Sequence, residues 1–130
     1  MNFATEMTIR SALALSREEL GEQIKAKERA QGFAIVETAR WLDPEDWDRW
    51  TIVSQDRLRI RLVALSARLP YTGAFTRLID RIVCEEMVPV VVEPNLFLQV
   101  WCRKHQFRMR GCGRGEFRHE VWYPKRCRYG

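Results

Sequence analysis

The chain has no long apolar run. Nowhere in its 130 residues do the ~18 consecutive apolar residues of a membrane-spanning helix occur, so no membrane span is expected. The N-terminus carries Glu6 and lacks a compact apolar core ending in a small-residue cleavage site, which argues against a secretory signal and for a cytoplasmic protein. Histidine is scarce, with only His105 and His119. The four cysteines, Cys84, Cys102, Cys112 and Cys127, form no tight pair. Cys102 and His105 stand too close along one helix for an ordinary zinc finger and no second pair follows, so no metal is assigned and the cysteines are read as reduced thiols. Repeats and low-complexity segments are also missing, which leaves no linker to divide the chain. One domain of 130 residues, long enough to bury a core, is the expectation.

What is present is globular in composition: 46% apolar and 30% charged residues. The net charge of +5 is unevenly placed. Residues 1–56 carry seven basic and eleven acidic side chains, 57–100 carry six and four, and 101–130 carry nine and two. The basic C-terminal third favours an anionic partner, either nucleic acid or a phosphorylated cofactor, and reads equally as a solvated face.

Local patterns outline the elements. Ser16-Arg-Glu-Glu19 has the form of a capping box opening a helix to about Gln31, stopped by Gly32, with Leu20 and Ile24 inward. Phe33 to Ala39 reads as a strand. Asp43-Pro-Glu-Asp46 resembles an N-cap and first turn, which predicts a short helix over 44–50 with Trp47 and Trp50 on one side. Arg57 to Leu65 alternates polar and apolar residues, as a half-buried strand does. A tight turn at Gly73 then enters a helix to about Glu86, whose buried stripe would be Leu78, Ile79, Ile82 and Val83. Pro89-Val-Val-Val-Glu-Pro is a short β-branched run suited to a strand buried on both faces. Asn95 can cap a second helix to His105, with Leu98, Val100 and Trp101 inward. Phe107–Gly111 and Glu120–Tyr123 read as late strands around a glycine-rich turn, and 124–130 as a loose tail.

A strand leading straight into a helix N-terminus presents free backbone N–H groups to an anion. Together, the order of strand, turn, helix, buried strand, Asn-capped helix and strand over residues 57–123 resembles the core of the GNAT N-acetyltransferase superfamily, including short GNAT-like proteins encoded by bacteriophages. In the family's phosphate turn, Gly73 takes the first glycine and Leu78 the apolar helix position, while Pro70 stands where Arg or Gln is usual and Phe75 where Gly or Ala is usual. In the next helix, Asn95, Leu98, Trp101, Lys104 and Phe107 match the family spacing, whereas Cys102 replaces a Tyr and Gln106 a Gly.

The resemblance implies an α/β (α+β) fold with a central mixed sheet whose middle strands splay apart, flanked by helices. It implies acetyl-CoA as cofactor, with residues 57–123 as the cofactor-binding core and 1–56 as a shortened N-terminal half. The pantetheine arm would pair with Val63, Ala64 and Leu65, up to Ser66. The pyrophosphate would receive the backbone of Tyr71, Thr72, Gly73, Ala74, Phe75 and Thr76, with Asn95 nearby. The phenyl ring of Phe75 either blocks the phosphate or points into the core. Direct attack of an amine on the thioester needs a base and an acid. Cys102 stands at the acid's position and equally suits a buried structural role. Glu93 and Glu37 are the candidate bases, although an ion pair between Glu93 and an arginine competes with that role. The alternative function is a non-catalytic GNAT-like protein that engages nucleic acid or a protein through the basic C-terminal face, where arginines interleave with Phe107, Phe117, Trp122, Tyr123 and Tyr129. The acceptor amine is not indicated. Trp41, Trp47 and Trp50 allow a homodimer surface without requiring one.

Overall fold

The structure, a computed structural model, describes residues 3–36, 41–69 and 72–125, with side chains from residue 16 onward. Three helices flank a six-stranded mixed sheet. In chain order these are α1 (Phe3–Ala30), β1 (Ala34–Ile35), β2 (Ile52–Asp56), β3 (Arg59–Ala64), α2 (Ala74–Cys84), β4 (Val88–Val92), α3 (Leu96–Lys104), β5 (Phe107–Cys112) and β6 (His119–Pro124). The strand order across the sheet is β1-β2-β3-β4-β6-β5. Only β3 and β4 run parallel; the other neighbours are antiparallel. Among the described residues no helix is long and apolar enough to cross a membrane.

The parallel step forces a helical crossover, which α2 supplies, and α3 carries the chain from β4 past β6 to β5. Both helices pack on one face of the sheet. There Leu78, Ile79 and Ile82 of α2 and Cys102 of α3 meet Val53, Ile60, Leu62, Val91 and Trp122 in the main core. The opposite face carries Val88, Val90, Val92 and Val121. The alternation of each strand deals the apolar set to one side and a mixed set to the other.

Several expectations are corrected. α1 runs unbroken through Ser16, so the capping-box pattern lies inside a helix rather than at its start. Leu20 is 56% exposed, and among the described side chains of α1 the buried one is Glu28. Residues 44–50 form turns rather than a helix. Trp47 sinks into the core and its backbone bridges Ala67, while Asp48 Oδ1 accepts from the Trp50 N–H. That tertiary pull outweighs a local N-cap signal, and it separates Trp47 from Trp50. Ile52–Asp56 is a strand with no expected counterpart, joined to β3 by a two-residue turn at Arg57-Leu58. Arg57 sits at φ 54 in that turn, so the strand begins at Arg59. Val83 and Val100 point to solvent. Pro124 belongs to β6. Glu37, Pro70, Tyr71, Cys127 and Tyr129 lie outside the described residues.

Candidate functional site

The central feature is where β3 and β4 stop pairing. Their ladder runs from Arg59↔Val88 to Leu62↔Val91 and ends there, although β3 continues to Ala64. On its other side β3 has an irregular register against β2, where Leu62 faces Val53 and Ala64 faces Ile52, so Val63 is the extra residue of a bulge. A bulge bends its strand and turns it away from its neighbour. Val63, Ala64 and Leu65 are half-buried along this bent end. β4 ends at Val92, and Glu93 follows it at φ 46, beyond the ladder.

The chain then reaches α2. Gly73 precedes the helix at φ 81, a left-handed conformation that glycine adopts without strain. No side chain caps α2. The Arg77 N–H donates to the Gly73 carbonyl and closes the first turn. The earlier N–H groups of Ala74, Phe75 and Thr76 thus face outward as helix-end donors. Around them, Thr72 Oγ1 donates to the Leu69 carbonyl at 2.8 Å and Arg77 Nη1 donates to the Thr72 carbonyl at 2.7 Å. The Arg77 guanidinium also grips Asp46 with two hydrogen bonds of 3.1 and 2.7 Å. That bonding holds the Asp46 carboxyl below the usual carboxylate range and pushes Arg77 further up.

The Phe75 ring stands edge-on to Trp101, with centroids 4.6 Å apart. It is half-buried against the core under α3, so it does not cover the mouth of the turn. Trp101 Nε1 donates to Thr76 Oγ1, tying α3 to the first turn of α2. Asn95 is an N-cap: its side-chain oxygen accepts from the Leu98 N–H at 2.9 Å. Glu93 Oε1 accepts from the Glu120 N–H at 2.8 Å, and the Glu93 N–H donates to the Glu120 carbonyl. The partner of Glu93 is therefore a strand backbone, not the expected arginine. Cys102 has no exposed surface. Burial pushes its thiol up to about 11, so it stays protonated and touches no ligand in this conformation.

The fold thus gathers Val63, Ala64, Leu65, Glu93 and the turn 72–76 at one end of the sheet and leaves Cys102 inside. A cavity of about 600 Å³ opens at the same end, between α1 and Ala64–Ser66. Glu18, Glu22, Arg49 and Trp50 line it, and Arg17 and Arg49 both lie over the Trp50 ring. Sequence reading singled out Trp50 but not the charged residues beside it, because they converge only once α1 lies along the sheet. At the C-terminal end, Arg103, Lys104, Arg108, Arg110, Arg114 and Arg118 are all exposed, but Phe107 and Trp122 are spent in the core. Among the described residues no cluster of His, Cys, Asp or Glu could hold a metal ion. Comparison with family models, curated proteins and solved structures gave no match.

Proposed function

We propose that the chain binds acyl-coenzyme A and transfers the acyl group to an amine, as the GNAT resemblance implies. The observation that carries this reading is an uncapped helix N-terminus that follows, after residues 65–73, a strand that has parted from its parallel neighbour. The parted end of β3 offers backbone groups to an amide-bearing arm, and the start of α2 offers N–H groups to a pyrophosphate. Gln106 adds to it: the residue at the family's Gly position has φ 62, the conformation that favours glycine.

In this reading the amine enters through the cavity beside Ala64–Ser66. Its nitrogen attacks the thioester carbonyl, the C–N bond forms, the C–S bond breaks and coenzyme A leaves as thiolate. Glu93, just past the end of β4 with Oε1 held by the Glu120 amide, takes the amine proton through Oε2. The buried Cys102 has no part, and solvent protonates the thiolate.

The test is calorimetric titration of acetyl-CoA into the protein and into Thr76→Glu. A carboxylate at this exposed first-turn position favours the helix but repels a pyrophosphate. Micromolar binding that weakens at least about tenfold in the variant, with Tm unchanged or raised, supports the reading. No heat at millimolar acetyl-CoA sinks it. The alternative, a non-catalytic protein that engages nucleic acid through its basic C-terminal face, draws on the six exposed cations named above. It requires binding to nucleic acid that weakens steeply with added salt.

A further inference from the structure

A second cavity lies on the sheet face away from α2 and α3, and its chemistry is different. Its volume is about 380 Å³, within the range of small-molecule sites. Val88, Val90 and Val121 form an apolar floor, and the rings of Phe33, Phe117 and Tyr123 stand around it. Guanidinium groups arrive from two directions, because the odd residues Arg59 and Arg61 of β3 and the even residue Arg110 of β5 share this face.

The β3 cation nearest α1 is Arg61, and it is already committed. Arg61 is bonded to Glu28 through Nε at 2.9 Å and Nη2 at 3.2 Å, and lies 4.0 Å from the Phe33 ring centroid. Arg61 Nη2 also meets His119 Nε2 at 3.2 Å. A donor on that side leaves the imidazole proton on Nδ1, which donates to the Phe117 carbonyl at 2.6 Å. The hydrogen bond fixes the turn that carries Phe117. Gly113 starts the same turn at φ 81, where a Cβ would fall 2.8 Å from the Phe117 carbonyl carbon and closer still to its oxygen. The wall of the cavity is therefore built, not incidental. Arg110 and Arg114, by contrast, are exposed and make no ion pair among the described residues.

We propose that this cavity binds a small planar aromatic anion, an aryl phosphate or aryl carboxylate, with its ring over the valines and its charge between Arg110 and Arg114. Guanidinium forks match phosphate and carboxylate oxygens, and an apolar floor with aromatic walls selects a flat ring. The turn over 113–117 walls off one side, which suits a compact ligand better than a continuous polymer strand. The proposal does not depend on acyl transfer.

The test uses methyl NMR of Val88, Val90 and Val121, with four probes: phenyl phosphate, benzoate, inorganic phosphate and benzyl alcohol. We expect saturable shifts at these valines with phenyl phosphate or benzoate at no more than about one tenth of the concentration needed for either fragment. Which of the two binds more tightly identifies the anion. The double variant Arg110→Gln/Arg114→Gln, at two exposed positions, should weaken the aryl anion at least about tenfold and leave benzyl alcohol unchanged. Shifts no larger with phenyl phosphate than with inorganic phosphate would overturn the proposal. So would an unweakened double variant, or displacement of the aryl anion by acetyl-CoA, which would make the cavity part of another site.

Discussion

Replacing Glu28 with Ala probes how α1 is held to the sheet. Four hydrogen bonds end on this carboxylate: 2.7 Å from Ser54 Oγ, 2.9 Å from Arg61 Nε, 3.2 Å from Arg61 Nη2 and 3.4 Å from Gln31 Nε2. Glu28, Ser54 and Arg61 are each at most 5% exposed. Removing the carboxylate strands a buried guanidinium, which costs about 3–5 kcal/mol, and a buried hydroxyl, which costs about 1–3 more. The Phe33 ring at 4.0 Å and the adjoining cavity relieve part of that charge, so about 3 kcal/mol is the expected net loss. For a chain of this length the loss lowers Tm by about 10–15 °C. Total stabilities of about 5–15 kcal/mol mean that the variant still folds. The assay is thermal unfolding followed by far-ultraviolet circular dichroism at fixed pH and protein concentration. The triple variant Glu28→Met/Ser54→Ala/Arg61→Met removes every stranded polar group and should be more stable than Glu28→Ala alone. A Glu28→Ala loss below about 1 kcal/mol, the scale of an exposed pair, would refute the buried clasp. So would a triple variant less stable than the single one.

Other outcomes follow from the same geometry. Cys102 should resist alkylation in the native protein at pH 8 while the exposed Cys84 reacts, as mass spectrometry of the labelled peptides would show. Its thiol is raised from 9.0 to about 11 in the folded state. The unfolded chain therefore ionises first, and the stability present below pH 9 falls by about 2–3 kcal/mol as the pH rises to 11. Cys102→Ala should lose that part of the pH dependence in denaturant titrations. Gln106→Gly should stabilise by about 0.5–1 kcal/mol, because it relieves a left-handed residue at φ 62, and a lower urea midpoint would contradict this. The Asp46 carboxyl should titrate below the ordinary range by NMR and return to it in Arg77→Ala. Gly113→Ala should cost about 1–3 kcal/mol and displace the turn at Phe117, with amide exchange accelerated over 113–119.

Long, strongly patterned segments were legible in the sequence. The Val90–Val92 run, the Asn95 cap and the helix after Gly73 stand where the sequence patterns place them, because a β-branched run, a capping side chain and a buried apolar stripe decide them in turn. The N-terminal half was less legible. β2 and its turn lack an Asn-Gly or Asp-Gly signal, since Arg57 takes the left-handed position instead. From residue 16 onward the buried side chain of α1 is a carboxylate, which no apolar stripe announces. The site was readable only in its backbone parts. A thiol on an apolar helix does not reveal whether it reaches a ligand, and the arginines at 59, 61 and 110 meet only through the strand order.

That strand order leaves β5 as the long outer strand, paired only to β6, whereas the opposite border is the two-residue β1. An open border of unpaired N–H and C=O groups is a template for stacking one molecule on the next. Arg108 and Arg110 crowd that border with like charge, and a second copy docking in line would bring the cations of both copies together. The charge that guards this border therefore sits in the same short Arg-Met-Arg segment that supplies one of the guanidiniums of the second cavity. Neutralising it to Thr-Met-Thr would cost solubility before it cost folding.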